Sequence, residues 1–467
     1  MGRLIEMLRQ NSESSVYPLH MPGHKRAMEW NINPYAYDIT EIDGFDDLHS
    51  PSGVLAELNG RIADLYGADE AFLTVNGSTS GVLTAISAAV RSGGTLLLDR
   101  GSHRSAYNAV FLRRLRAEYI YPQTDMETGI NTGYSPKTVD KILRENPDIR
   151  AVYVTSPTYE GVVLDIKKIA DTVHGYGIPL IVDAAHGAHL GLSDGFPDNP
   201  LNEGADIVIM SLHKTLPVFT QTAVICLKGS RVKPETVRRY FNMYVSTSPS
   251  YLLMASAERC MDFLDSDGKE AFEKYRELLG NFRGSCDALK HLYLWKHDGT
   301  YDSGKLVICT DKSNLSGPGL AGLLRKRYGL EPELTSAKYV IAMTSCMDGT
   351  ECYERLWEAL KEIDSECEGA AAFGSADIIF EKTGAIKVCE AWETEGMEYI
   401  EVPLKEAVGG VSADYIYVYP PGVPWLVPGE RIAEPSLRRI QEYMKENIEV
   451  RGLTKSGGIK ILAALQK

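Results

Sequence analysis

The sequence predicts an α/β chain: a large domain on a mostly parallel sheet, followed by a smaller C-terminal α+β domain. Three observations predict it. Short apolar runs end abruptly in polar residues, Ala205-Asp206-Ile207-Val208-Ile209-Met210 running into Ser211 and Ile178-Pro179-Leu180-Ile181-Val182 into Asp183. Such runs read as strands buried on both faces, the habit of parallel sheets. Stretches with helical spacing separate them, as where Leu55, Leu58, Ile62 and Leu65 share one side of a segment closing at Gly67. Third, the strand-like residues 71–75 pass through Asn76-Gly77-Ser78-Thr79-Ser80-Gly81 into an apolar helix reaching Ala89, a strand, turn and helix in sequence.

Composition narrows the class. With 467 residues, 44% hydrophobic and 24% charged, the chain has room for two substantial cores and no bias towards disorder. A net charge of −14 argues against nucleic acid or an anionic membrane as partner. The eight cysteines are scattered without close metal-ligand pairs, which predicts reduced thiols and no metal site. Residues 1–10 lack the apolar content of a signal segment, and no stretch approaches the ~18 apolar residues of a membrane span. The expected location is cytoplasmic.

In chain order, residues 1–16 read as a short amphipathic helix with Leu4, Ile5, Met7 and Leu8 on its apolar side, and Pro18 to Arg26 as an ordered arm too rich in Pro and Gly for a helix. Residues 38–49 are acidic, with Glu41, Asp43, Asp46 and Asp47 close together. Residues 95–99 read as a strand leading into Arg100-Gly101-Ser102-His103, and residues 152–155 as another, with Thr155, Ser156 and Thr158 within reach of a ligand at its end. A largely helical linking region covers roughly 252–292, and the strand-like runs at 305–309 and 339–343 with a helical 351–362 make the smaller domain. The predicted division is an N-terminal arm over 1–48, a large domain over 49–265, and a linking helix with the C-terminal domain over 266–467.

The chemistry is concentrated at two strand ends. Open α/β sheets bind ligands outside the carboxyl ends of their strands, and both Asp183 and Lys214 fall there. A lysine after a strand is by itself ordinary solvated loop. Here Ser211 and His213 flank it as hydrogen-bonding partners, and an acid precedes it by one strand-crossover-strand unit. Pyridoxal 5'-phosphate chemistry needs that pair: an amine to hold the aldehyde as a Schiff base, and a carboxylate to keep the pyridine nitrogen protonated. The turn at 76–81 offers N–H groups, hydroxyls and a helix N-terminus to an anion. Ser78, Thr79 and Ser80 are therefore the expected phosphate cup, with Ser211 and His213 completing it.

Ser211-Leu212-His213-Lys214 is similar to the Ser-x-His-Lys signature of the ornithine/lysine/arginine decarboxylase family, whose fold is the fold type I PLP-dependent transferase-like one. The chain resembles that family from Met21 to Glu430: in Met21-Pro22-Gly23-His24-Lys25, in His103-Arg104-Ser105, in the Thr-Gln segment at 220–221, in the segment 246–251, and in Tyr419-Pro420-Pro421-Gly422 with its trailing Pro428-Gly429-Glu430. Larger members carry a receiver-like wing before this point, and with only twenty residues ahead of Met21 the resemblance is to the compact form.

The resemblance implies that His103 stacks on the open face of the pyridine ring, and that His186 sits beside the ring's phenolate oxygen or the substrate, with His189 structural. Many relatives have an acid directly after the aspartate, where this chain has Ala184. The resemblance also implies a homodimer with active sites at the subunit interface, and decarboxylation of a basic L-amino acid to an amine and CO2, feeding polyamine biosynthesis. Glu41, Asp43 and Glu430 are then candidate carboxylate partners for the substrate's distal cation. Arginine is favoured over lysine and ornithine by likeness to compact bacterial arginine decarboxylases; no residue rule separates guanidinium from ammonium. Lys214, His103 and Asp183 are the expected catalytic residues. An aminotransferase of the same fold, or a silent cofactor-binding homologue, are the alternatives.

Overall fold

The computed structural model describes residues 3–369, 386–446 and 448–465. The apolar runs form one seven-stranded sheet: β1 Glu70–Thr74, β2 Thr95–Asp99, β3 Arg116–Ile120, β4 Ile149–Thr155, β5 Leu180–Asp183, β6 Ile207–Met210 and β7 Ala223–Leu227. The spatial order is β1-β7-β6-β5-β4-β2-β3, and β7 alone runs antiparallel to its neighbours. Every residue of β2, β5, β6 and β7 is buried, as expected of strands covered by helices on both faces. Register aligns the strand ends: Thr155 pairs with Asp183, and Asp183 with Ile209. Asp99, Thr155, Asp183 and Ser211 therefore share one edge of the sheet.

Beyond the linking helices Tyr251–Phe263 and Lys269–Cys286, an antiparallel four-stranded sheet contains Tyr293–Leu294, Lys305–Cys309, Tyr339–Met343 and Leu334–Thr335. A separate apolar cluster around Ile416, Leu426, Leu437, Ile440 and Ile459 holds the C-terminal strands together. Residues 370–385, inside the predicted C-terminal domain, lie outside the described residues. Among the described residues no helix is long and apolar enough to cross a membrane.

The arm is fastened to the site. Tyr17–Leu19 adds a strand beside Leu330–Pro332, and the Lys25 ammonium, buried, donates to the carbonyls of Pro18, His20 and Met343 at 2.8–3.0 Å. Gly23 donates its N–H to the His213 carbonyl at 2.8 Å. A Cβ there would stand 2.6 Å from the Thr215 carbonyl carbon, so only glycine lets the arm lie across the lysine turn. The helix Arg3–Glu13 forms as its pattern predicts, yet none of its residues is buried.

One carboxylate of the acidic segment has a structural task. Asp46 accepts backbone N–H groups from Ser52, Gly53, Leu55 and Ala56, closing the N-terminus of helix Val54–Tyr66. Burial pushes its carboxyl up, but those N–H groups outweigh it and hold it below the usual aspartate range. Asp46→Ala should cost about 1–2 kcal/mol, the value of a lost helix cap, measurable by urea denaturation. Because the folded-state pKa is the lower one, this contribution is present at neutral pH and fades as pH falls through that value.

Candidate active site

A cleft opens at the carboxyl edge of the sheet, and Ser78, Thr79, His103, Thr155, Asp183, His186, Ser211, His213 and Lys214 all line it. Its rim comes from distant segments: Met21 of the arm, Thr220 and Gln221 after the lysine turn, and Tyr419, Pro420, Pro421 and Val423 of the C-terminal hairpin.

Lys214 lies in the short helix Leu212–Thr215 that follows β6. Its Nζ is 2.9 Å from His186 Nε2, and burial lowers its pKa, with Asp183 and Glu333 opposing. Depression of this kind favours the nucleophilic free amine. Asp183, at the end of β5, accepts the Tyr153 hydroxyl at 2.8 Å and the Ala185 N–H at 3.1 Å. Burial raises its pKa, while Tyr153, Lys214 and Ala185 hold it down. A protonated ring nitrogen would give this buried carboxylate a further charge partner.

His103 caps helix Arg104–Leu112, its Nδ1 accepting the Ser105 N–H at 3.2 Å. That bond fixes the ring proton on Nε2, which is within 3.4 Å of where a Cβ on Gly422 would sit; at φ +80° glycine relieves both the backbone and the approach. Burial, then Lys214 and Arg104, take its pKa down to about 4, so the ring is neutral at pH 7. Capping and lining the cleft are one arrangement: Nδ1 serves the helix, and Nε2–H remains for a ligand.

The phosphate cup differs in detail from the sequence reading. Ser211 Oγ donates to Ser78 Oγ at 2.9 Å, bringing two expected hydroxyls together, at the N-terminus of helix Gly77–Ala89. Ser80 is a correction: its buried hydroxyl donates to the Gly77 carbonyl and pairs with Thr74 Oγ1, both at 2.8 Å, outside the lining. A helix turns Ser80 about 200° away from Ser78, and hence off the ligand side. His213 Nδ1 donates to the Thr222 carbonyl at 3.0 Å, and burial takes its pKa down to about 4. Neutral His213 thus offers a lone pair at Nε2, and would donate to a phosphate only as imidazolium.

Three expected substrate carboxylates stand elsewhere. Glu41 and Asp43 are exposed and outside this chain's cleft lining. Glu430 is buried and ion-paired to Arg100 at 3.1 Å, also outside the lining. The partner of Glu430 is 330 positions away in sequence, so no local signal points to it. Ser156 and Thr158 use their hydroxyls to accept the N–H groups of Leu164 and Val162, whereas Thr155 reaches the cleft. Sequence reasoning missed Tyr153, whose hydroxyl steadies Asp183; Tyr159, whose ring is 4.4 Å from His186; and Lys305, whose Nζ is 2.7 Å from His186 Nδ1. Lys305 left one signal, a charge opening an otherwise apolar strand.

The donor set fits pyridoxal phosphate: hydroxyls and a helix N-terminus for its phosphate, a buried acid for its ring nitrogen, and a lysine in the cleft for its aldehyde. Comparison with known proteins agrees. Residues 3–302 match the Orn/Lys/Arg decarboxylase major domain, and residues 383–452 the C-terminal domain of the same family. The chain is 28% identical to an arginine decarboxylase of Bacillus subtilis, covering 95% of this chain and 94% of that protein. It is 30% identical to an arginine decarboxylase of Halalkalibacterium halodurans, covering 93% and 91%. The solved structure of lysine decarboxylase A from Pseudomonas aeruginosa superposes with a TM-score of 0.76 at 18% identity, over 98% of this chain and 82% of that one. Fold, site and sequence place the chain in the Orn/Lys/Arg decarboxylase family of pyridoxal phosphate-dependent enzymes.

Proposed function

We propose that the enzyme decarboxylates L-arginine, ahead of lysine and ornithine, and that its amine product feeds polyamine biosynthesis. The observation that carries the reading is the half-buried Lys214 amine in the cleft at the same sheet edge as buried Asp183, with the Ser78 and Ser211 hydroxyls beside them. Relatives 28–30% identical over nearly the whole chain and named arginine decarboxylases support arginine as substrate. When bound, pyridoxal phosphate supplies an aldehyde that condenses with amines and a ring that accepts the electron pair left as CO2 departs. Lys214 holds the cofactor and yields its place to the substrate amine. Asp183 keeps the proton on the ring nitrogen. His103 Nε2–H orients the α-carboxylate, which selects the bond that breaks.

The proposed assembly is a cytoplasmic homodimer with sites at the interface. Exposed Tyr35, Tyr37, Ile42 and Phe45 on the arm support a covering second copy, and Glu41 and Asp43 beside them would serve the substrate cation in that copy's cleft. Glu41→Ala with Asp43→Ala should raise KM for arginine about tenfold, a charge-assisted contact being worth ~1.5 kcal/mol, with cofactor binding intact. Unchanged KM would remove both residues from the substrate site.

Product analysis tests the reaction. Cofactor-loaded protein is given L-arginine, L-lysine or L-ornithine, and CO2 is measured together with agmatine, cadaverine or putrescine. Agmatine matching CO2 is expected. A keto acid in place of CO2 would instead indicate transamination. Asp183→Ala should weaken cofactor binding and lower turnover by about two orders of magnitude, as loss of a preorganised electrostatic partner does.

A further inference from the structure

His186 stands between two lysines. Lys214 Nζ is 2.9 Å from its Nε2, and Lys305 Nζ is 2.7 Å from its Nδ1. Lys305 arrives from the four-stranded sheet as the first residue of strand Lys305–Cys309 and is 1% exposed. A neutral imidazole has one N–H and one lone pair, and an ammonium only donates. Two ammonium groups cannot both hydrogen-bond such a ring. The ring is neutral, because burial first, and then the charge of a neighbouring ammonium, hold its pKa well below the usual histidine value. One lysine must therefore be the free amine that accepts the ring's N–H.

The groups around them decide which. Lys305 faces Asp302, Glu333, Glu160 and, among cations, Lys25 and Lys214. Burial would raise the Asp302 carboxyl, but His189 and Lys305 hold it below the usual range, so a carboxylate stands beside Lys305. Burial lowers Lys305 only to about 8, and it keeps its proton at neutral pH. Lys214 faces Asp183 and Glu333, with His103 and His213 both neutral at pH 7.

We propose that Lys305 is a positioning residue: its ammonium donates to His186 Nδ1, which fixes the ring proton on Nε2, and Nε2–H donates to the Lys214 amine, so that Lys214 rests as the free base. The inference rests on the reading of Lys214 as the lysine that holds the cofactor. The free base is the form that attacks an aldehyde, so a residue of the smaller sheet sets the readiness of the nucleophile in the larger one. Without Lys305, His186 can move its proton to Nδ1 and turn a lone pair on Lys214, which then keeps its own proton.

The test uses the apoenzyme. Wild type, Lys305→Met and Lys305→Gln are mixed with pyridoxal phosphate, and the rate at which the visible band of lysine-bound cofactor appears is followed across the neutral and alkaline range. In Lys305→Met the midpoint should move up by about one pH unit, making capture at neutral pH about tenfold slower. Lys305→Gln, whose amide N–H can still donate to Nδ1, should fall between. Nitrogen NMR of labelled histidine in the wild type should find His186 protonated on Nε2, a result that needs no variant to fold. A proton on Nδ1, or an unmoved midpoint in both variants, would overturn the relay. Borohydride trapping with peptide mapping separates the two readings. Cofactor mapped away from Lys214 refutes the assignment of that lysine; cofactor on Lys214 with an unmoved midpoint refutes the relay alone.

Discussion

Lys214→Ala is expected to leave a folded protein that holds no covalently trapped cofactor and has lost activity by about a thousandfold or more, the scale on which removal of a nucleophile acts. The side chain is half-buried, and its Nζ is 2.9 Å from His186 Nε2. Its loss removes a partly desolvated amine as well as a contact, so the fold should tolerate it. Borohydride reduction followed by peptide mapping checks the first part, and CO2 release the second. Undiminished trapping at another lysine would assign the chemistry elsewhere. If trapping is lost while CO2 release persists near wild type, covalent attachment is not required for turnover.

The site was legible in the sequence where strands deliver it. Asp183 and Lys214 each follow an apolar run, and parallel strands in register bring such ends to one edge whatever lies between. Ser78 could be found because a polar turn between strand and helix presents its N-terminus. Ser80, two positions on, could not be told apart from it by composition; only helical rotation separates them. Asp46, Glu41 and Asp43 read alike as acidic loop, yet backbone N–H groups gather on Asp46 alone. Lys305 escaped for a different reason. Its role is defined by His186, 119 positions earlier, and a single sequence carries no record of such pairings. The same holds for Tyr153, which reads as strand until the neighbouring strand places Asp183 beside its hydroxyl.

Glu430 provides the second large effect, and one on stability. The Arg100 guanidinium is buried between the rings of Tyr107 and Tyr119, each centroid 5.6 Å away, and it donates to the carbonyls of Pro424 and Trp425 and to Glu430. Glu430 also accepts the Val427 N–H at 2.9 Å. The pair thereby ties the C-terminal hairpin, whose Pro420 and Pro421 line the cleft, to the loop that carries His103. Glu430→Ala would strand a buried cation, and a broken buried pair typically costs about 3–5 kcal/mol. A double change of Arg100 and Glu430 to methionine should cost less than Glu430→Ala alone, because no unpaired charge is left behind. Thermal and urea denaturation compare the three proteins, and KM for arginine is measured on each that folds. A lower melting temperature with KM little changed is the expected outcome. The reverse, full stability with a raised KM, would return Glu430 to the substrate and make the Arg100 contact incidental.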